Sequence, residues 1–407
     1  MCAYRTAVIV IPTSNEAGSI GILLDELIHM VFPATQWNCQ ILVVDADSPD
    51  GTADIVRRAQ KSCEKVHLIV EQRKEGLGAA YFKGFRYAVE ILSADAVVEF
   101  DGDLQHPPNV IPALLAELDK GADLVLGSRR RPGGSYPRGW SLVRRFLSEV
   151  GGFASRVLLF FPLKAFRQVT DPTTGLKATR VDTRFRGLDF ESFLNRGFGY
   201  KLEMLFRLVQ AGARVTEVPL QFRLREAGES KMQGQAPWEI LWTCIVLRLR
   251  DEGTRRFLKF AAVGLSGYIV NGLLLEVLTR TSFIRHVAGY FHFLRSTVLA
   301  FLSQQSGWAS ILSVEGSILS NFLWNNFWTF RSSRAAKQGR FVRRLLGFNL
   351  TSVGAILIQA IAVGSATRFL GDSTLVRQLS LVATIGLLVL PYNWLIYNRL
   401  IWRKTRT

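Results

Sequence analysis

Short apolar runs alternate with helical patterns along the first half of the chain. Five runs have the length and β-branched content of buried strands: Ala7–Ile11, Gln40–Val44, Val66–Val70, Ala96–Phe100 and Asp123–Leu126. The segments between them place apolar residues three and four positions apart, which is the spacing of an amphipathic helix. This alternation predicts an α/β domain.

The last 150 residues follow a different pattern, because their apolar segments are long enough to cross a bilayer. We predict spans at about 257–279, 308–330, 345–367 and 377–399. A further apolar stretch, 283–305, is interrupted by Arg295, and we predict a re-entrant or surface segment there.

The patterning predicts a soluble domain over 1–235 and a transmembrane domain over 255–407. The connector 236–254 has an amphipathic character, with Trp238 and Trp242 on neighbouring turns as expected interface anchors. Residues 140–165 mix basic and apolar positions. That segment is either a core helix or a helix lying on the lipid surface.

The two regions also differ in their balance of basic and acidic residues. The formal net charge is +17, but residues 1–254 hold 32 Lys and Arg against 30 Asp and Glu. Residues 255–407 hold 18 against 3, so the excess cations accompany the apolar segments rather than a nucleic-acid surface. Basic residues at 331–344 and at the chain end predict that both places, and the first domain, are cytosolic. We therefore expect a multi-pass membrane protein that binds no nucleic acid.

Candidate chemistry gathers at the ends of the predicted strands. Asp101 and Asp103 follow the strand Ala96–Phe100, and carboxylates at that spacing can hold one divalent cation on a diphosphate. Taken alone, such a pair is more often an acidic β-turn. Asp45 and Glu16 follow two other strands, however, so acids from three strand ends are predicted to face one crevice. In that crevice the Asp45 carboxylate can accept a hydrogen bond from the ring N–H of a nucleotide base.

Two weaker signals lie nearby. Arg129 follows the fifth predicted strand and is either a phosphate clamp or part of a solvated basic run. Gly76 and Gly78 form a lone G-x-G, for which an ordinary helix start is the default interpretation.

Taken together in order, several motifs resemble the dolichol- and polyprenol-phosphate mannose synthases, which are family 2 glycosyltransferases of the Rossmann-like GT-A fold. The resemblance covers about residues 5–235, and the remainder is similar to the four-helix GtrA-like membrane domain. The motifs are Ile-Pro-Thr-Ser-Asn-Glu16, Val-Val-Asp45, Asp-Ser-Pro-Asp-Gly-Thr52, Asp-Gly-Asp-Leu-Gln-His-Pro-Pro108, Gly-Ser-Arg129, Asp-Pro-Thr-Thr-Gly175 and Gly-Glu-Ser-Lys231.

The resemblance implies a role for each matched residue. Asp101, Asp103 and Gln105 would hold Mg²⁺ or Mn²⁺, and Arg144 would contact the lipid phosphate, so that Asp101, Asp103 and Arg144 form the catalytic set. Nucleotide, phosphate and sugar contacts would come from Pro12, Ser14, Glu16, Val44, Asp45, Gly102, Arg129, Lys201, Arg225 and Lys231. Ser14 stands where the family often has Tyr, and Ala46 replaces a common acid.

The implied activity is transfer of mannose from GDP-mannose to dolichyl or polyprenyl monophosphate by a single inverting displacement. Two alternatives remain open from the sequence. One changes the donor to UDP-glucose or another sugar nucleotide, since base and epimer choice depend on a few contacts. The other is a lipid-sugar flippase or scaffold that binds without turnover.

Overall fold

The computed structural model describes two compact units, one up to Arg248 and one from Leu249. The residues it describes are 5–137, 139–224, 236–294, 305–331, 341–370, 375–376, 379 and 383–402. The predicted spans and loops are therefore covered only in part.

The first unit is built on a seven-stranded sheet of order β3-β2-β1-β4-β6-β5-β7. Every neighbouring pair is parallel except those of β6, which runs antiparallel to β4 and β5. The strands are β1 Thr6–Thr13, β2 Asn38–Asp45, β3 Val66–Val70, β4 Ala96–Glu99, β5 Leu124–Ser128, β6 Lys177–Arg180 and β7 Val215–Pro219.

Helices cover both faces of this sheet, which is why the middle residues of β1 and β2 are apolar on both sides of each strand. Along β1, Val8 and Val10 belong to one core cluster, while Ile9 and Ile11 belong to the other. The helices are α1 Ala17–Glu26, α2 Thr52–Ser62, α3 Leu77–Glu90, α4 Ile111–Asp119, α5 Leu142–Phe160, α6 Ala165–Gln168, α7 Thr183–Arg186, α8 Tyr200–Gln210 and α9 Ala236–Arg250. The α/β prediction is confirmed.

The segment Ala17–Ala34 is apolar and long enough to cross a membrane, as is Glu252–Leu278; these two are the candidates among the described residues. The first of them begins with α1, in which Leu23 and Leu24 are buried in the core beside the sheet, as is Leu27 directly after this helix. Its hydrophobicity is therefore explained by packing within the first unit.

Helix α5 joins two environments. Its first three turns expose large apolar side chains, while Ser155, Leu159 and Phe160 in its last turns are buried. The C-terminal half of the helix is therefore core and the N-terminal half is exposed, while the location of that exposed half on the lipid surface stays a prediction.

The second unit is helical in its described parts. Its helices are α10 Glu252–Thr279, α11 Ser282–Tyr290, α12 Gln305–Trp324, a helix over Phe341–Leu370 and a last helix over Leu390–Ile396 with π-helical turns on both sides. Rings from several of these helices meet in one cluster, in which Phe330 stacks on Trp402 at a centroid distance of 4.4 Å. Arg295 lies outside the described residues, and the four predicted spans stay a prediction.

Candidate active site

The sheet collects the predicted acids at one edge. Thr13 lies opposite Asp45 in the parallel β1–β2 register, and Asp101 follows β4 on the other side of β1. Because parallel strands end at the same edge of a sheet, loops from β1, β2 and β4 open onto one crevice. The N-terminal end of the antiparallel β6 reaches this edge as well.

Asp101 is held by cationic and hydroxyl donors. Its Oδ1 accepts from Lys201 Nζ at 3.1 Å and from Tyr81 Oη at 3.1 Å. Burial by itself raises the pKa of Asp101, but the Lys201 ammonium, with His106 and these hydrogen bonds, lowers the pKa below its usual value. The carboxylate is therefore ionised at neutral pH. Its side chain is 27 % exposed, so one edge remains accessible to a ligand.

His106 lies against the other side of this carboxylate. Its Nδ1 is 3.6 Å from Asp101 Oδ2, and burial lowers the pKa of His106 to about 4. The imidazole is thus neutral at neutral pH, and Lys201 is the charged neighbour of Asp101. Lys201 Nζ also donates to the Gly175 carbonyl at 3.3 Å.

Gly175 is a glycine because nothing larger fits beside Asp101 and His106. A Cβ at this position would lie 2.6 Å from Asp101 Oδ2 and 2.9 Å from His106 Cε1. We expect Gly175→Ala to displace one of the two side chains and to lower the rate of the reaction at this site by about tenfold or more. Initial rates at saturating substrate measure the effect.

Gly21→Ala in α1 is the matched control, since its Cβ would meet Ile55 Cγ2 at an ordinary 3.5 Å. That substitution should keep full activity and leave the protein equally or more stable. If Gly175→Ala is as active as Gly21→Ala, the close packing around Asp101 is not required.

Asp103 and Gln105 continue the same loop. The Gln105 backbone N–H donates to Asp103 Oδ1 at 3.1 Å, and the Gln105 carbonyl accepts from the Arg223 N–H at 2.8 Å. No group of three or more His, Cys, Asp or Glu side chains forms a metal cluster within the described parts of the chain. The ligand set predicted from the sequence has only two carboxylates and an amide. These hard oxygen donors suit Mg²⁺ or Mn²⁺ when phosphate oxygens complete the shell.

A second charged layer lies beneath Asp101. Glu99 and Lys177 face each other across the β4–β6 pair, with Nζ and Oε2 3.9 Å apart. Tyr200 Oη donates to Glu99 Oε2 at 2.7 Å, and Lys177 Nζ donates to the Lys201 carbonyl at 3.1 Å. Burial lowers the pKa of Lys177 to about 8. This layer fixes the first turn of α8, and with it the lysine that contacts Asp101.

On the β1–β2 side, Asp45 is occupied by the protein itself. Its oxygens accept from Thr13 Oγ1 and Ser48 Oγ, both at 2.7 Å, and from the Ser48 N–H at 2.8 Å. The residue is fully buried. Asp45 therefore orders the loop after β2, and its contact with a base stays a prediction.

The remaining nucleoside-side residues lie around this loop. Ser14 Oγ accepts from Lys74 Nζ at 3.2 Å, and Glu16 Oε2 accepts from Ser19 Oγ at 3.2 Å. Gly102 is packed so closely that a Cβ would meet Thr13 Cγ2 at 3.2 Å. Pro12 pairs with Val44 in the sheet, and the Val44 side chain is buried in the core, so only its backbone can line a pocket.

Arg129 forms a buried bidentate ion pair with Asp171. Its Nε and Nη2 each donate to a different Asp171 oxygen at 2.7 Å, and the Arg129 and Asp171 side chains are 9 % and 0 % exposed. Glu217 of β7 holds the same loop by accepting from the Asp171 N–H at 3.0 Å. Arg129 is therefore not part of a solvated basic run; it is oriented by a carboxylate at the edge of the crevice.

Aromatic rings connect this pair to Asp101 and to α5. The Phe222 ring packs against His106 at a centroid distance of 5.0 Å, and the Arg129 guanidinium lies 5.6 Å from the centre of the same ring. Arg144, in the first turn of α5, stacks over Trp140 at 4.3 Å. Arg225 and Lys231 lie outside the described residues.

Several residues of this site carry no signal in the sequence. Asp171 and Gly175 stand in a loop that looks ordinary by composition, although the resemblance contains that loop as a motif. Tyr81 and Lys177 lie within a helix and a strand, and only the fold brings them to Asp101.

Two family models match the chain. "Glycosyl transferase family 2" matches residues 8–193, and "GtrA/DPMS, transmembrane domain" matches residues 287–402. The second match identifies a membrane protein.

Curated relatives match over longer stretches. A dolichol-phosphate mannosyltransferase of Pyrococcus furiosus is 32 % identical over 91 % of this chain and 93 % of its own length. An undecaprenyl-phosphate mannosyltransferase of Micrococcus luteus is 40 % identical over 55 % of this chain and 86 % of its own. Among solved structures, a glucosyl-3-phosphoglycerate synthase of Mycobacterium tuberculosis in complex with Mn²⁺ and UDP gives a TM-score of 0.44 at 19 % identity, covering 60 % of this chain and 80 % of that one.

Proposed function

Because the chain belongs to the family of dolichol- and polyprenol-phosphate mannosyltransferases, membrane-bound glycosyltransferases of family 2, we propose that GDP-mannose is its donor and a dolichyl or polyprenyl monophosphate its acceptor. The observation that carries the proposal is the ionised, partly accessible Asp101 at the crevice edge. The family, the fold class and the enzyme class predicted from the sequence are confirmed.

On the donor side, Asp101, Asp103 and Gln105 would hold a divalent cation. When bound, such a cation neutralises charge that develops on the departing diphosphate. Lys201 Nζ, 3.1 Å from Asp101, lies where it can donate to a phosphate oxygen. Pro12, Ser14, Glu16, Asp45 and Gly102, together with the Val44 backbone, would enclose the nucleoside. Arg225 and Lys231 are proposed as further phosphate or sugar contacts.

On the acceptor side, Arg144 is proposed to bind the lipid phosphate. It lies in the first turn of α5, whose Leu142 and Phe146 side chains are 83 % and 66 % exposed. Such an apolar face beside basic residues is typical of a helix lying in a membrane interface. Trp238 and Trp242 of α9 are also exposed and add anchors of the type found at that depth.

The chemistry is a single displacement. A phosphate oxygen of the acceptor forms a bond to the anomeric carbon, the bond from that carbon to the GDP oxygen breaks, and GDP leaves with the electron pair. The acceptor phosphate is already anionic near neutral pH, so it needs positioning more than deprotonation. Arg144 and Arg129 supply that positioning, and the product has inverted configuration.

The charge pattern supports a topology in which the first unit and both termini face the cytosol. It also supports the proposed division into 1–235, an amphipathic connector 236–254 and a transmembrane domain 255–407 with four spans. Both are proposals that follow from the sequence.

Purified full-length protein with polyprenyl phosphate, Mn²⁺ and radiolabelled GDP-mannose tests the function. We expect label in the organic phase, and we expect an excess of EDTA to reduce the rate by at least about a hundredfold, with recovery when Mn²⁺ or Mg²⁺ is restored. Parallel reactions with radiolabelled UDP-glucose test the donor.

Transfer of glucose instead of mannose would replace the proposed donor and keep the enzyme class. Absence of transfer from either donor, in protein that still binds Mn²⁺ and GDP-mannose, would contradict the activity. An undiminished rate in EDTA would contradict the proposed role of Asp101 and Asp103.

A further inference from the structure

Helix α5 changes environment near its middle. In its first three turns Val143, Leu147 and Phe153 are 57–68 % exposed. From Ser155 onwards its inner face is buried in the core of the first unit. The half that carries Arg144 therefore has few apolar contacts with the protein body, and something else must fix its position.

Arg130 makes that connection. Its Nη2 donates to the Ser148 carbonyl at 3.2 Å and the Glu149 carbonyl at 3.0 Å, and also pairs with the Glu149 carboxylate at 3.0 Å. Its Nη1 donates to the Thr170 carbonyl at 2.9 Å. One guanidinium, with its side chain 14 % exposed, thus bridges the middle of α5 and the loop after α6.

Gly152 permits this approach. A Cβ at Gly152 would lie 2.6 Å from Arg130 Nη2, whereas a Cβ at the neighbouring Gly151 would meet nothing within 4 Å. The guanidinium therefore occupies the space beside the helix that a side chain at position 152 would otherwise take. This contact lies where the exposed half of α5 meets the buried half.

The same short segments hold the buried pair of the crevice. Arg130 follows Arg129, and Thr170 precedes Asp171, so the bridge to α5 is built on the two segments that orient the Arg129 guanidinium. A shift of α5 relative to Arg130 therefore changes the distance between Arg129 and Arg144. Charge-assisted hydrogen bonds to backbone carbonyls are strong enough to define this geometry.

We propose that Arg130 is a positioning residue for the acceptor: it fixes the exposed half of α5 relative to Arg129, so that both arginines address one lipid phosphate. The inference rests on the proposed function. Arg130 itself touches no substrate in this scheme. Its loss should affect the acceptor and leave the donor unaffected, because the partners described for its side chain lie in α5, at Tyr136 and in the loop after α6.

Two substitutions test the bridge from opposite sides. Arg130→Met removes the guanidinium, and Gly152→Ala displaces it while leaving Arg130 in the chain. Each should raise KM for polyprenyl phosphate by about tenfold, the size expected when charge-assisted hydrogen bonds are lost, with KM for GDP-mannose unchanged. Gly151→Ala is the matched control for Gly152→Ala and should change neither KM.

Hydrogen exchange gives a readout that needs no activity. Amides of residues 142–153 should exchange faster in both variants than in the wild type, while amides of 155–160 keep their protection. Arg156→Met is the control on the buried half of α5, because it removes a hydrogen bond of 2.7 Å from Arg156 Nε to the Phe166 carbonyl. It should leave the exchange rates of amides 142–153 unchanged.

The outcomes distinguish the positioning role of Arg130 from the proposed transferase function. Equal rises in both KM values, or unchanged exchange over 142–153, would overturn the positioning role. A fall in the amount of folded protein with both KM values unchanged would reduce Arg130 to a structural residue, and Gly152→Ala repeats the test should Arg130→Met not fold. If the wild type transfers no mannose, the proposed function fails, and the exchange experiment still tests the bridge.

Discussion

Replacing Asp101 with asparagine is expected to lower mannosyl transfer by at least about a hundredfold, the scale on which removal of one key electrostatic group acts. Asparagine has nearly the same shape, so it keeps the packing against His106 and Gly175. It lacks the negative charge that Lys201 contacts at 3.1 Å and that a divalent cation would require. Label transfer at saturating donor and acceptor measures the loss.

Asp54→Asn is the control for Asp101→Asn, since Asp54 lies on the exposed face of α2 and pairs with a neighbouring exposed side chain, Arg57 Nη1 at 2.6 Å. It should have wild-type activity, because surface ion pairs contribute little. Thermal unfolding of both variants shows whether Asp101→Asn is folded. A folded Asp101→Asn protein with normal turnover would exclude the proposed metal-binding role of Asp101 and keep the enzyme class.

The five strands predicted from apolar runs are present, because strands covered by helices on both faces, such as β1 and β2, consist mostly of apolar residues. The last two strands were not predicted. β6 has the sequence Lys-Ala-Thr-Arg, and its Lys177 is buried because Glu99 lies opposite in the sheet. A single sequence does not reveal such compensation between two polar residues that are far apart in the chain.

The candidate site likewise contains features that the local sequence predicts and features that arise only when distant segments come together. Asp101 could be predicted because it follows an apolar strand, and local sequence determines that position. The hydrogen bond from Thr13 to Asp45 could not, because Thr13 comes opposite Asp45 only after β1 and β2 have paired. From the sequence, Arg129 is equally compatible with a solvated basic run, because its partner Asp171 lies 42 positions later in the chain.

The exposed half of α5 was one of two alternatives that the sequence left open. Amphipathic spacing predicts a helix with an apolar face, but a core and a lipid surface require the same residues. The fold buries only the last turns of α5, beside the sheet and α8, and the lipid-surface location of the first half stays a prediction. That exposed half carries Arg144, the proposed contact for the lipid phosphate.

Breaking the Arg129–Asp171 pair should give the largest loss of stability. Asp171→Asn leaves the Arg129 guanidinium buried beside a neutral amide, and removal of one partner of a buried ion pair costs about 3–5 kcal/mol in the free energy of unfolding. For a unit of this size we expect a fall of about 10 °C in the midpoint of thermal unfolding. Transfer should fall as well, since Arg129 loses its bidentate partner.

The pH dependence of the unfolding midpoint tests whether the loss of stability comes from the broken ion pair. The folded-state pKa of Asp171 lies below its ordinary value, because Arg129 and its hydrogen bonds outweigh the effect of burial. The pair therefore contributes fully above the unfolded pKa of about 3.9, and its contribution is lost as the pH falls through the lower folded pKa. The gap in unfolding midpoint between wild type and Asp171→Asn should be constant from pH 8 to about 5 and close only in stronger acid.

Arg129→Met combined with Asp171→Met is the control, because it removes both charges and leaves none buried without its partner. The double variant should recover much of the stability lost in Asp171→Asn, since replacing a buried pair by apolar residues is often neutral. It should recover no transfer, because the guanidinium is absent. Recovery of transfer with recovery of stability would mean that Arg129 serves only the fold, and that the acceptor phosphate is bound without it.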